Sequence, residues 1–242
     1  MINLNVLQKA GSKLLRLVGF IILSNLAVSV ALGQTMAEVI QSTNMSQYPV
    51  GTKVSEDTMI ETGGDQKIAI KTPEGDILIA GNNARIKLVK PGFFSQFFGK
   101  VYYFFTPSSN RNVTVQTSTA TLGIRGTKFV IDSGQEQSLS DKVSLVEGKL
   151  NFQSNDNNYF QFYQQRKLSE FELYKQSEQS EFDSYKKQMV DEFVAFKLSI
   201  DLEQGFSLAF DGKKARQVAL NSDIEKEIES FERFIADNKL SE

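Results

Sequence analysis

The sequence contains no cysteine and no histidine among its 242 residues. The missing cysteine excludes disulfide bonds, thiol nucleophiles and the lipidated cysteine of a lipoprotein anchor. The missing histidine removes the commonest general base, and without either residue the usual zinc sites cannot form. Because an oxidising compartment permits disulfides without requiring them, the lack of cysteine does not by itself assign a location.

Long runs of like charge are also missing. The formal net charge is -2, and no block of Lys and Arg is long enough to follow a phosphate backbone. Nucleic acid is therefore not an expected partner. With 40% hydrophobic residues, the chain is long enough for one domain with a sizeable core or for two small ones.

Catalytic patterns are few. The chain has no G-x-S-x-G, Walker or dinucleotide fingerprint, and the S-x-x-K spacing of Ser184 and Lys187 has no companion elements. Neighbouring carboxylates could serve hydrolysis or calcium binding, but none has the spacing of a known loop, and solvated surface explains them better. These are Glu56 with Asp57, Asp191 with Glu192, and the run of Glu225, Glu227 and Glu229. We therefore expect no enzymatic activity, no cofactor and no metal.

The first 33 residues resemble an export signal. Lys9, Lys13 and Arg16 precede the apolar run LVGFIILSNLAVSVALG. The last three residues of this run include the small residues Ala31 and Gly33. We predict cleavage before Gln34, with a cut after Ala37 as the second choice, and a linker over 34–47. The mature protein would then be periplasmic or secreted. The alternative is a retained segment that anchors the protein in the membrane as a single-pass protein.

Short alternating segments fill residues 48–152 and predict a mainly β domain. Examples are TMIET, KIAIKT, DILIAG, ARIKLV and NVTVQT, separated by turns rich in glycine and asparagine. Four isoleucines recur at nearly constant spacing, as expected for one continuous buried row: Ile60, Ile68, Ile77 and Ile86. The spacing fits either a β-sandwich or a solenoid-like stack of short strands.

The segment TSTATLGIRGTKFVI, residues 117–131, resembles the motif that marks the FecR domain of bacterial envelope proteins. The resemblance extends upstream through MIETGGDQKIAIKTPEGDILIAGNNARIKL and downstream through KVSLVEGKLNF, so that it covers about 105 residues. It implies an all-β fold somewhat like a short β-helix. The positions that match the family motif are Thr119, Ala120, Gly123, Arg125, Gly126, Thr127 and Phe129.

The resemblance implies a role in the cell envelope. The founding FecR regulators are periplasmic and relay the state of an iron-siderophore receptor to a cytoplasmic sigma factor. This sequence departs from them, because only about 13 residues precede the apolar run, too few for a folded sigma-binding unit. The small βα domain that follows in the regulators is also replaced by predicted helices.

We therefore expect a stand-alone, exported FecR-type interaction or sensing module without enzymatic activity. Its partner would be an envelope protein or a surface glycan, and the membrane would be involved only if the amino-terminal segment is retained. The second interpretation is a membrane-anchored signalling component related to the sigma-factor regulators. An envelope hydrolase or a glycan-binding protein is the third.

Within the motif, Gly123 and Gly126 would allow a tight corner between two strands. Arg125 at this corner would clamp loop carbonyls or a carboxylate such as Asp132 or Glu147. Recognition of an anionic ligand by Arg125 is the alternative.

Residues 153–200 are predicted to form a long amphipathic helix or arm, because apolar side chains recur at steps near 3.6. Three roles remain open for this stripe: packing within the chain, a homo-oligomer seam, or a groove for a partner helix. Its members are Phe171, Tyr174, Phe182, Tyr185, Met189, Phe193 and Phe196.

The carboxy-terminal residues predict a β-hairpin over 201–220 and a helix over 221–242. Gly205 and the Asp211-Gly212 turn punctuate the hairpin, and Ser222 with Glu225 forms a capping box that opens the helix. The helix has an apolar face, which we expect to dock on the aromatic stripe of the long helix. This face consists of Ile224, Ile228, Phe231 and Ile235.

Overall fold

A computed structural model of the chain describes residues 35–107, 111–134, 140–156, 158–165 and 192–236. These residues form fifteen β-strands and one α-helix, α1, which spans Ser222–Ala236. The strands are β1 (Thr35–Ser42), β2 (Lys53–Ser55), β3 (Thr58–Glu61), β4 (Ile68–Lys71), β5 (Ile77–Ala80), β6 (Arg85–Lys90), β7 (Phe93–Phe104), β8 (Val113–Gln116), β9 (Ala120–Ser133), β10 (Asp141–Ser154), β11 (Phe160–Gln165), β12 (Glu192–Lys197), β13 (Ser199–Glu203), β14 (Phe206–Phe210) and β15 (Lys214–Ala219).

All described strands belong to one sheet. Its main path runs β12-β11-β15-β14-β10-β9-β8-β7-β5-β4-β1-β2, while β13 pairs with β10, and β3 joins through β6, which pairs with β7. Among the described strands, only β7 with β8 and β11 with β15 are parallel pairs. The prediction of a mainly β chain is confirmed. Neither a solenoid of parallel rungs nor a sandwich describes this open, mixed sheet.

Strand β9 changes neighbours partway along its length. Residues 121–124 pair with β8, whereas residues 128–133 pair with β7. Between these two parts lies Gly126, whose φ is 56°. A side chain is disfavoured in this left-handed region, so glycine allows the strand to bend there without steric cost. The predicted corner therefore lies inside one strand rather than between two.

Strand β10 bends in the same place on the neighbouring strand. Residues 141–145 pair with β14 and residues 149–153 pair with β13. The register between β9 and β10 is irregular around Glu147, and Gly148 has a φ of 94°. The bends of β9 and β10 lie side by side. The two strands therefore turn together, and the sheet curves around its core.

The larger of two clusters of buried apolar side chains contains residues from β1 to β11 and from β13 to β15. At its centre the rings of Tyr103 and Phe129 stack with their centroids 5.0 Å apart. The hydroxyl of Tyr103 donates to Oε1 of the buried Gln96, whose Nε2 donates to the carbonyl of Gly99. Burial raises the pKa of Tyr103. This hydrogen-bond pair satisfies polar groups that would otherwise be costly in an apolar core.

The smaller cluster lies between the sheet and α1. Strands β4, β5, β7 and β9 alternate between the two clusters, so each is apolar on both faces. From the sheet, Ala69, Ile79, Tyr102 and Val130 face α1. The expected row of isoleucines is therefore divided, because Ile77 packs in this smaller cluster while the other three lie in the larger one.

Helix α1 docks through its predicted apolar face, with Ile228 and Phe231 almost fully buried. The rings of Phe231 and Tyr102 are stacked with centroids 5.8 Å apart. At the edges of the contact, Nζ of Lys100 lies 2.7 Å from Oε1 of Glu227, and the hydroxyl of Tyr102 donates to Glu232. The helix thus packs on the β-sheet, and the expectation that it docks on a long helix is wrong for these residues.

The start of α1 also differs from the prediction. The side-chain oxygen of Asn221 accepts a hydrogen bond from the backbone N–H of Asp223 at 3.0 Å, which makes Asn221 the amino-terminal cap. Ser222 is already the first helical residue. The predicted capping box therefore does not form, because the third helical residue after this cap is Ile224 rather than Glu or Gln.

The predicted long helix over 153–200 is not what the described residues show. Strands β11 and β12 occupy its two ends and pair with each other in antiparallel register. Within the predicted stripe, Phe193 and Phe196 lie in β12, and the other members lie outside the described residues. Alternation in FQFYQQ favours a strand once Phe160 and Phe162 are buried on one face.

The predicted domain boundaries also shift. Residues expected to be a linker contain β1, whose Met36, Ala37 and Val39 are buried in the larger cluster. The expected two-stranded hairpin over 201–220 consists of three strands, β13, β14 and β15, of which β13 and β14 both extend the sheet on β10. No helix in the described part of the chain is long and apolar enough to cross a membrane.

Candidate binding groove on the outer face of the sheet

Most of the FecR-like motif supports the fold. Ala120 and Phe129 are fully buried in the larger cluster, and Thr127 is buried as well. The hydroxyl of Thr119 donates to the carboxylate of the buried Asp141 at 2.5 Å. These contacts join the start of β9 to the start of β10 and leave these four motif residues no evident role in binding.

Gly126 is required by the fold for two reasons. Its φ is in the left-handed region, and an ideal Cβ at this position would lie 2.9 Å from Cα of Pro107. Backbone atoms cannot move aside as a flexible side chain can, so any other residue would displace the loop before β8. Gly126 is a structural glycine.

Gly123 differs from Gly126 in both respects. It is exposed, its φ is not in the left-handed region, and a Cβ built on it would meet only Asn151, at 3.9 Å or more. These are ordinary van der Waals distances. The fold therefore does not need glycine at this position, although glycine weakens a strand.

Gly123 lines a groove of about 790 Å³ on the outer face of the sheet, which we call the Gly123 groove. Two polar rows of residues on neighbouring strands border it, one on each side of a buried apolar row. The first polar row is Thr114, Gly123, Asn151 and Asp201. The second is Arg125, Lys149 and Glu203.

Arg125 and Lys149 are the two cations of the second row. They are directly opposite each other on β9 and β10, and both are exposed. Neither side chain forms an ion pair or hydrogen bond with another residue in the described ranges. Like charges directly opposite each other destabilise a sheet. Lys149 also has Glu203 opposite it on β13, whereas Arg125 has no described carboxylate opposite it.

The structure does not show Arg125 in the clamping role that the sequence predicts. The carboxylate of Asp132 lies 3.5 Å from Nζ of Lys100, and that of Glu147 lies 3.5 Å from Nζ of Lys128. Both expected partners therefore pair with other cations. Arg125 instead lines the groove.

Two other charged groups of the groove, Asp201 and Arg111, already have partners. Nδ2 of Asn151 donates to Oδ1 of Asp201 at 2.7 Å. At one end of the groove, Nη2 of Arg111 lies 2.6 Å from Oδ1 of the buried Asp76, and Nη1 lies 3.7 Å from Glu74. These interactions fix the walls of the groove, whereas Arg125 and Lys149 keep hydrogen-bond donors that no described residue occupies.

Sequence reasoning identified Gly123 and Arg125 but missed the residues that complete the groove. Lys149 and Asn151 lie on the polar face of β10, and Asp201 and Glu203 lie on that of β13. Alternation in KLNF and SIDLE predicts those polar faces. Nothing local in the sequence indicates that β13 pairs with β10, some fifty residues earlier in the chain.

The carboxylates that the sequence singled out do not assemble into a site. Asp57 pairs with Lys87 at 2.8 Å, and Glu227 pairs with Lys100. Among the residues that the structure describes, no three acidic side chains lie close enough together to hold a metal ion. Ser184, Lys187 and Asp191 lie outside the described residues.

No family model matches the chain, and no curated protein matches it. Two crystal structures of a "putative anti-sigma factor" from Parabacteroides distasonis ATCC 8503 are similar, each with a TM-score of 0.45 and 9% sequence identity. The likeness covers 68% of this chain and 60% of the solved chain. At this identity and TM-score it says nothing about what this chain binds, and the FecR resemblance stays a prediction.

Proposed function

We propose that this chain is an exported, non-enzymatic binding module of the bacterial envelope, and that the Gly123 groove receives an extended segment of a partner protein. The observation that carries the proposal is Gly123 itself. It lies in the middle of a strand, where glycine is unfavourable, and no backbone conformation or steric contact requires it. Glycine at such a position is typical of sites where a ligand or another backbone approaches closely.

The position of β1 bears on the choice between the two predicted cleavage sites. A mature chain that begins at Gln34 keeps the whole of β1, whereas a cut after Ala37 would remove Thr35, Met36 and Ala37. Two of these three residues are buried in the core. We therefore favour cleavage before Gln34 over the second site.

The export claim is tested by measuring the intact mass of the protein isolated from separated cytoplasmic, membrane and periplasmic fractions and from the medium. A chain that begins at Gln34 in a soluble extracytoplasmic fraction is expected. A chain that retains Met1 and fractionates with the membrane would contradict this and favour the membrane-anchored alternative. Reproducible turnover on a panel of glycans and peptides would contradict the non-enzymatic assignment.

The groove is tested by filling it. Gly123→Val places a branched side chain on the groove floor, and we expect it to reduce capture of envelope proteins by cross-linking to the full chain. Ala219→Val is the matched control, because Ala219 is also an exposed strand residue but lies outside the groove. Urea unfolding must show that both variants fold. Equal capture by the wild-type chain and a folded Gly123→Val variant would refute the binding role of the groove.

A further inference from the structure

We infer that the ligand of the Gly123 groove is an acidic peptide segment, one carboxylate of which is held between Arg125 and Lys149. This inference rests on the proposed function and adds the chemical class of the partner. Its starting point is the pair of cations that lie opposite each other across β9 and β10. Residues opposite each other in an antiparallel pair have Cα atoms about 5 Å apart, so one carboxylate can reach both side chains.

These two cations contrast with others on the same sheet. Lys87, Lys100, Lys128 and Arg111 each lie within 4 Å of a carboxylate. Arg125 has no such partner in the described ranges, although it offers a planar fork of donors that suits a carboxylate. A carboxylate from outside the chain would relieve the repulsion between Arg125 and Lys149 and satisfy both.

The carboxylates that β13 contributes to the groove favour a peptide. Asp201 and Glu203 are exposed, Asp201 lies opposite Asn151, and Glu203 lies opposite Lys149. An extended peptide has backbone N–H groups that can donate to such oxygens while its acidic side chains face the cations. Because both charge signs are present, the groove suits a chain that offers donors as well as carboxylates, rather than a uniformly anionic polymer.

The lining residues argue against sugar and nucleic acid. No aromatic side chain is among the described residues that line the groove, so they offer no ring on which a sugar or base could stack. Arg111 is already paired with Asp76, and the two cations that remain are too few to follow a phosphate backbone. An acidic peptide is the class of ligand that these groups recognise.

The test measures binding of a fluorescein-labelled octaglutamate peptide to the full chain by fluorescence anisotropy. An octaglutamine peptide of equal length controls for charge, and an oligogalacturonate competitor represents an acidic glycan. We expect the octaglutamate to bind, the octaglutamine not to bind, and the affinity to fall with added salt because the charges are exposed.

Arg125→Gln should weaken octaglutamate binding at least about tenfold, since a hydrogen bond to a charged group contributes that much or more. Arg125→Lys should weaken it less, because the charge remains but the fork of donors is lost. Lys71→Gln is the matched control: it removes an exposed cation from another strand, outside the groove. The Lys71→Gln variant should bind octaglutamate as tightly as the wild-type chain does.

The inference is overturned if the wild-type chain does not bind octaglutamate, or if Arg125→Gln binds it as tightly as the wild type. Tighter binding of oligogalacturonate through Arg125 would also overturn it, because the ligand would then be a glycan. Capture of envelope proteins distinguishes an error in the ligand class from an error in the proposed function. If capture depends on Gly123 but not on Arg125, the proposed function stands and the acidic ligand is wrong; if it depends on neither, the proposed function is wrong.

Discussion

A Cβ on Gly148 would lie only 2.5 Å from the carbonyl oxygen of Gly126 on the neighbouring strand. It would also lie 2.6 Å from Cγ2 of Thr127. Both distances are far below van der Waals contact, so the bends of β9 and β10 depend on two glycines that touch each other. The sheet therefore tolerates an added side chain least at the point where it bends.

We predict that Gly148→Ala lowers the free energy of unfolding by about 3 kcal/mol, because the left-handed backbone and the crowded site both oppose a side chain. Gly205→Ala is the matched control, since Gly205 has a φ of 83° but no atom within 4 Å of the point that a Cβ would occupy. It should cost only about 1 kcal/mol. Urea unfolding measures both, and equal losses would show that crowding between β9 and β10 contributes nothing.

Unlike Gly148→Ala, Gly123→Ala should not destabilise the protein. The strand gains a residue that loses less backbone entropy on folding, so we expect unchanged stability or a gain of up to about 1 kcal/mol. The same urea measurement checks it. A loss of more than about 1 kcal/mol would mean that the fold requires glycine there after all, and the binding role of the position would lose its main support.

The ion pair of Asp76 with Arg111 should contribute to the stability of the fold. Asp76 is 2% exposed and also accepts a hydrogen bond from the backbone N–H of Thr106. Asp76→Ala leaves both donors unpaired and should cost about 2 to 4 kcal/mol, toward the lower end because Arg111 is partly exposed. Glu74→Ala, which removes the longer and more exposed contact of Arg111, should cost less than about 1 kcal/mol. Similar losses for the two variants would contradict the assignment of Asp76 as the dominant partner.

Stability should fall in alkaline solution because of the contact between α1 and the sheet. Burial and the neighbouring carboxylate of Glu232 raise the pKa of Tyr102. Burial lowers the pKa of Lys100, but Glu227 and Asp132 outweigh this effect and raise it overall. Since both folded-state pKa values are raised, their contribution is complete below the unfolded values of about 10 and is lost as the pH rises above them.

Urea midpoints at increasing pH check this prediction. We expect the midpoint of the wild-type chain to fall above about pH 10, where unfolded tyrosine and lysine titrate. Tyr102→Phe removes one of the titrating groups and should show a shallower fall over the same range. An identical pH profile for Tyr102→Phe would exclude Tyr102 as a cause, while Tyr103 would remain a contributor because burial raises its pKa too.

The sequence predicted the β-character of the chain well, because alternation is a local signal. KIAIKT and DILIAG became β4 and β5 with the expected turns between strands. The same reasoning failed for residues 158–165, where Phe160 and Phe162 alternate correctly for a strand but lie at the start of a longer region with helical spacing. A window long enough to detect the helical period concealed a strand of six residues.

The candidate site was only half visible in the sequence. Gly123 and Arg125 stand out in the FecR-like motif, but their roles could not be separated from that of Gly126 without the backbone angles and the position of Pro107. The second cation, Lys149, depends on the register of β9 with β10, which contains two irregularities. A bulge shifts every later residue to the other face, so local alternation alone cannot predict such a pairing.

Because α1 follows every described strand along the chain, one face of the sheet is covered only after all of those strands have been synthesised. Until then Ala69, Ile79, Tyr102 and Val130 present an apolar surface to water. A chain shortened at Leu220 would keep every described strand and lose the helix that shields them. Such a chain is a candidate for self-association during synthesis or transport, when a chaperone rather than the protein itself would have to protect this surface.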